Sequence, residues 1–468
     1  MHDLSTRFIS LWSASDFVES TLGHAPLKGL KDAVAQLQVV AALQTEPTSS
    51  TEESRRHHAK LLLFQSDVLM DLAREMLHAF PYREVPACWR ELYTDAGILK
   101  ALALGILGST CDKSAVSEMD DEISLLRKAL RTCDQVLVMA GASGQGRKDF
   151  VFALIKTLED RIQSTDIPSI LPSKRKSTAT QNEEKEKTTR VGGTGQIPRI
   201  QYPIPRIHLP TMDAFQEHIN GPLGGTPLII TGAMDHWPAL EKWKDPRMIC
   251  RIAGPDRLVP IEIGSQYTDE QWTQKFVTMK DFVEQFVDDG DDAVAKGQVG
   301  YLAQHDVFDQ IPRLRRDIDI PDYCLVAPRR QDGYQPPEDV LLNAWFGPGG
   351  TISPMHTDPY YNLLAQVVGR KYVRLYSPKD TPKLYSFATS NGIESGDEAT
   401  DKDSGVNTML GNTSQVEVEQ PDLTKFPLFA SAEYVEAVLE AGELLYIPLQ
   451  WWHYIRSLST SFSVSFWF

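Results

Sequence analysis

The sequence predicts an α+β protein in two parts, an all-helical N-terminal domain followed by a C-terminal domain of short strands. Three observations carry this reading. Residues 1–165 repeat their apolar side chains at spacings of three and four, the period of a helix with one buried face. Residues 166–199 hold almost no aromatic residue and fill with Ser, Thr, Lys, Glu and Gly, too polar to order themselves by burial, so they read as a flexible linker. From residue 200 to 468, short β-rich stretches alternate with turns containing Gly and Pro, the pattern of a sandwich or barrel.

In the first part, residues 57–80 place Leu61, Phe64, Val68, Leu69, Leu72, Met76 and Leu77 at helical spacing. Further helices are expected at 86–107, 117–139 and 149–162, giving a helical bundle or helical-repeat domain that would serve as an interaction module for a protein partner. The glycine-rich 141–148 lacks the Gly-Lys-Ser/Thr ending that a phosphate loop needs, so it reads as a connection between helices. In the second part, strands are expected at 227–231, 259–263, 339–346, 361–368, 371–376, 443–447 and 461–468. The polar, acidic stretch 386–415 reads as an exposed insertion.

Composition narrows the function. A net charge of -16 repels phosphate backbones, so direct nucleic-acid binding is not expected, and a basic protein partner or substrate is favoured. The five cysteines (Cys88, Cys111, Cys133, Cys250, Cys324) are scattered without a CxxC pair, which suits a reducing compartment. The N-terminus lacks a basic-then-apolar signal pattern, and the most apolar stretch, 98–107, is short and broken by Lys100. No membrane span is expected, and the localisation predicted is nucleus, cytoplasm or both. Lys174-Arg175-Lys176 could act as an import patch, although solvated charge is the plainer reading.

The chemistry concentrates near residue 356. Residues two apart in an extended segment point to the same face, so His356 and Asp358 project together. Two imidazoles and one carboxylate with open positions select non-haem ferrous iron for oxygen chemistry. His453, in the run 449–455, is the best candidate for the second imidazole. Asn362 shares parity with His356 and Asp358 if one strand carries all three. Gly369-Arg370 reads as a two-residue hairpin turn, after which Lys371, Val373 and Leu375 share a face. If that face is interior, Lys371 needs an anion, and the distal carboxylate of 2-oxoglutarate would supply one.

The runs 345–378, 300–305 and 452–467 resemble the Jumonji-C (JmjC) oxygenases, a resemblance that covers about 198–468, including 259–262 and 267–272. It implies a double-stranded β-helix, the cupin-like jelly roll, with Fe(II) on His356, Asp358 and His453. It further implies 2-oxoglutarate on Tyr301, Ser353, Asn362 and Lys371, and a substrate pocket of Glu262, Tyr267, Trp272, Trp345 and Trp467. The activity implied consumes O2 and 2-oxoglutarate and oxidises a C–H bond of a protein or peptide, releasing succinate and CO2. Glu262 among aromatic residues favours arginine hydroxylation over N-methyl-lysine demethylation of a histone-like substrate. A non-catalytic JmjC scaffold is the contrasting reading, and it is disfavoured because every implied ligand is present.

Overall fold

The computed structural model describes residues 1–13, 22–43, 48–110, 116–165, 197–264, 272–288, 299–328, 334–388 and 411–468. The chain divides into two compact units, Met1–Lys185 with Asp256–Leu258, and Glu186–Pro255 with Val259–Phe468. Most of the predicted linker (166–196), with Lys174-Arg175-Lys176, lies outside the described residues, as do Tyr267 and 389–410 of the predicted insertion.

The first unit is helical, as predicted. Its helices are α1 (His2–Ser13), α2 (His24–Ala42), α3 (Ser49–His78), α4 (Ala87–Ser109), α5 (Val116–Ala140) and α6 (Arg147–Thr165). Helix α3 starts at Ser49 because Thr48 and Thr51 cap each other's backbone there. Its core face is Leu62, Ser66, Leu69, Met70, Ala73 and Leu77, whereas Leu61, Phe64 and Val68 of the predicted apolar set face outward. Apolar residues extend round more of the helix than the face that is buried, which also holds the small Ala59 and Ala73. Helix α4 is buried along most of its length, and 89% of its apolar window is covered by protein, which marks a core helix although its length would suit a bilayer. Gly97 allows that burial: a Cβ there would sit 2.2 Å from Val136 Cγ2 on α5. The glycine-rich 141–148 joins α5 to α6, and its buried Arg147 pairs with Asp95 at 2.9 Å, so the segment is structural.

The second unit carries the strands β1 (Arg206–His208), β2 (Leu228–Thr231), β3 (Leu258–Ile263), β4 (Thr273–Thr278), β5 (Gly300–His305), β6 (Leu341–Gly347), β7 (Ile352–His356), β8 (Asn362–Val368), β9 (Lys371–Tyr376), β10 (Tyr434–Leu439), β11 (Glu443–Ile447), β12 (Trp452–Ser457) and β13 (Ser461–Trp467). Among the described residues they form two sheets. The larger runs β1-β2-β11-β8-β13-β6-β5-β3-β4, the smaller β10-β9-β12-β7. From β6 to β13 the chain changes sheet at every link except β9 to β10, the winding of a cupin-like jelly roll. One apolar cluster joins Leu364, Leu445 and Ile447 of the larger sheet to Val373, Leu375 and Leu439 of the smaller. The outer face of the larger sheet is also covered: Phe462 and Phe466 meet Trp243 and Trp237. This explains why β13 is buried along its whole length and reads as a continuous apolar and small-residue run.

Two local expectations need correction. Gly369 and Arg370 do not turn a hairpin, because β8 pairs with β11 and β13 while β9 pairs with β10 and β12. The link is a sheet-to-sheet crossing, and Gly369 takes φ +74° to make it. The described ends of the predicted exposed insertion are exposed only in part, at Ala388 and Asn412. Ser386, Thr413 and Ser414 are buried, and the Ser414 amide donates to the Met355 carbonyl at 2.8 Å.

Candidate metal centre

Two imidazoles and a carboxylate converge at the end of the smaller sheet. The register of β7 and β12 sets His356 directly opposite His453, and their rings lie 4.2 Å apart between centroids. Asp358 follows β7 in the link to β8. Its oxygens approach His356 Nε2 at 3.7 Å and His453 Nε2 at 3.5 Å. One ligand atom from each residue lies within 4.8 Å of the other two.

The imidazoles are pre-set for coordination. His356 Nδ1 lies 2.7 Å from the Pro354 carbonyl and His453 Nδ1 lies 3.0 Å from that of Trp451. A carbonyl can only accept, so each Nδ1 carries the proton and each Nε2 lone pair faces Asp358. Burial and the neighbouring His356 lower the His453 pKa to about 4, which keeps that ring neutral. Neutral imidazoles of fixed tautomer beside a carboxylate fit a divalent transition metal such as iron.

The same cavity is lined by Tyr301, Trp345, Ser353, Asn362, Leu364, Lys371, Ile455 and Ser465. Lys371 is 2% exposed, and its ammonium donates to the Tyr301 hydroxyl at 3.1 Å. Among the described residues no carboxylate pairs with it, and burial lowers its pKa to about 7. Asn362 turns its amide nitrogen towards Asp358 Oδ2 at 3.5 Å, leaving its buried Oδ1 without a partner. Asn362 does not share a strand with His356, however. It opens β8 in the other sheet, so the parity argument for it fails and the crossing link brings it to the site.

The residues expected to hold substrate divide. Glu262 lies directly opposite Tyr301 in the β3–β5 register, which puts both on one sheet face. Burial raises the Glu262 pKa, with Trp272 and Gln274 pulling against it. Trp345 tilts against Tyr301, 6.1 Å between centroids, and donates its indole N–H to Ser465 Oγ at 2.9 Å. Trp467 packs on Tyr360, and neither it nor Glu262 nor Trp272 is part of the lining of the cavity that holds His356, Asp358 and His453. Leu364, Ile455 and Ser465 line the cavity without having been singled out from sequence. Ile455 and Leu364 were legible, each lying two residues beyond a predicted site residue on the same strand.

A family model described as a cupin-like domain matches residues 214–468. Over 405 residues the chain is 39% identical to lysine-specific demethylase 8 of Danio rerio, covering 86% of each chain. Similarity to lysine-specific demethylase 8 of Xenopus tropicalis is 35% over 435 residues, 86% of this chain and 87% of that one. A more distant relative is the bifunctional peptidase and (3S)-lysyl hydroxylase JMJD7 of Homo sapiens, 26% identical over 256 residues, 52% of this chain and 77% of the relative.

Proposed function

We propose, for a chain that belongs to the cupin-like JmjC family of 2-oxoglutarate-dependent oxygenases, that it hydroxylates a side-chain carbon of a protein substrate, with arginine the preferred target. The observation that carries the cosubstrate is Lys371, a buried cation without an acidic partner among the described residues, in one cavity with the His356, Asp358 and His453 cluster. When bound there, iron supplies the O2 activation that couples decarboxylation of 2-oxoglutarate to C–H oxidation. The chain's own groups do the rest. His356, Asp358 and His453 would hold the iron. Lys371 and Tyr301 take the distal carboxylate of 2-oxoglutarate, and Ser353 and Asn362 add polar contacts. Leu364 and Ile455 keep water from that end.

The test is succinate release in the presence of iron, ascorbate and 2-oxoglutarate. His356→Ala should lower it by about a thousandfold or more, and equal release by both proteins would end the assignment.

The target residue rests on Glu262. The relatives' names span demethylation and lysyl hydroxylation, so the substrate choice falls to Glu262, which lies outside the cavity lining but opposite Tyr301, which is part of it. A half-buried carboxylate near Trp272 suits a guanidinium, which pairs bidentately and stacks, whereas a methylated ammonium needs only an aromatic enclosure. Mass spectrometry of reacted peptides should find one oxygen gained on arginine. Formaldehyde from methyl-lysine peptides, with arginine unchanged throughout, would reverse the preference.

A further inference from the structure

The outward face of α3 (Ser49–His78) carries an apolar ridge that the other described helices leave uncovered. Leu61, Phe64 and Val68 are 39%, 69% and 52% exposed, and half-buried Leu72 and Met76 continue the line in steps of four. Single exposed apolar residues are ordinary on a soluble surface. A run of five at helical spacing, separate from the core face, has the form of a helix-packing seam.

Within about ten residues of Phe64 the charges beside the ridge change sign at that residue. Exposed Arg56 and Lys60 precede it, while Asp67, Asp71 and Glu75 follow. By helical geometry Lys60, Asp67 and Asp71 lie on the same flank of the ridge. We propose that this face is the contact between two copies of the chain, their α3 helices antiparallel about a two-fold axis at Phe64. That operation sets positions equally far before and after Phe64 opposite one another. Lys60 then faces position 68 of the second copy, between Asp67 and Asp71, and Arg56 faces the stretch between Asp71 and Glu75. Farther out, Glu53 falls opposite Glu75, a like charge next to Arg74, so the complementarity is confined to the stretch nearer Phe64. A parallel pairing would instead carry the charged flanks of the two copies to opposite sides of the contact, where Lys60 meets neither Asp67 nor Asp71. The central part of the pattern, Arg56 and Lys60 against Asp67 and Asp71, therefore complements itself under a two-fold operation, which is the requirement for an isologous contact. The pairs these acids make within one chain, Asp71 to Arg74 at 2.7 Å and Asp67 to Lys100 at 2.7 Å, have exposed or partly exposed partners and are weak enough to be shared or exchanged.

Sedimentation of the full chain tests this. The ridge is small for a stable dimer, so a monomer–dimer equilibrium with a midpoint between ~1 and ~100 μM is expected. Phe64→Glu should weaken it about a hundredfold without changing far-UV circular dichroism or 2-oxoglutarate turnover, and Val68→Lys is the second variant if the first misfolds. Lys60→Asp and Asp71→Lys should each weaken it about tenfold, and the double variant should return to within about threefold of wild type. A wild-type chain that stays monomeric to ~100 μM overturns the proposal. So does dimerisation unaffected by either ridge variant, or a double swap no tighter than its single parents.

Discussion

Lys371 is the residue whose chemistry is most exposed to experiment. Burial lowers its pKa from 10.5 to about 7, so between those values the folded chain has shed a proton that the unfolded chain keeps. The unfolded state binds more protons in that window, and the stability of the ligand-free chain rises with pH across it. Below pH 7 both states hold the proton and the penalty of burying a charge is fully present. Lys371→Met should therefore raise the melting temperature of the ligand-free protein near pH 6.5 while weakening 2-oxoglutarate binding by about a hundredfold or more. A melting temperature that falls would show that the lysine is already compensated. In the wild type, 2-oxoglutarate needs the protonated lysine, so its affinity should be greatest below pH 7 and fall towards tenfold per unit above. Calorimetry in buffers of different ionisation enthalpy would read the accompanying proton uptake. Glu262→Gln makes the complementary test: it should raise the KM for an arginine peptide about tenfold or more and leave peptide-independent succinate release unchanged. An unchanged KM would remove Glu262 from substrate binding.

At the scale of elements, the links between strands position the site. Gly369 sits at φ +74°, and a Cβ there would lie 2.0 Å from the Thr460 carbonyl oxygen, a backbone atom that cannot swing away. Gly369→Ala should cost about 3 kcal/mol or more, read as a lower denaturant midpoint, and should weaken 2-oxoglutarate binding because Lys371 lies two residues on. Stability within about 0.5 kcal/mol of wild type would show that the crossing tolerates a side chain. The same link shows what sequence could and could not convey. A two-residue period tells which face a side chain takes, so Lys371 could be read as interior and His356 with Asp358 as neighbours. Period carries no information on which sheet a strand joins. The crossing at 369–370 therefore looked like a hairpin, and Asn362 was placed on the strand of His356 although it opens one in the opposite sheet. His453 could be nominated but not placed, since its pairing with His356 spans 97 positions and only the β7–β12 register creates it. On α3 the helix was legible from spacing, but the choice of buried face belongs to its neighbours.

The whole chain carries a net charge of -16, and duplex DNA should not be retarded by it at ~100 mM salt; a salt-dependent shift would point to a local basic surface that outweighs the total. At this scale the cavity has a mechanical meaning as well as a chemical one. Its polar lining comes from both sheets: Ser353, His356, Lys371 and His453 from the smaller, Tyr301, Trp345, Asn362 and Ser465 from the larger, with Asp358 on the link between them. A ligand held by these groups acts as a rivet through two plates that otherwise meet through apolar contact. Filling the site should slow the parting of the sheets, so amide hydrogen exchange should fall in β7, β9 and β12 together with β8 and β13, including residues that touch no ligand. The jelly roll would then be stiffest when loaded, and its slowest opening would be timed by ligand release.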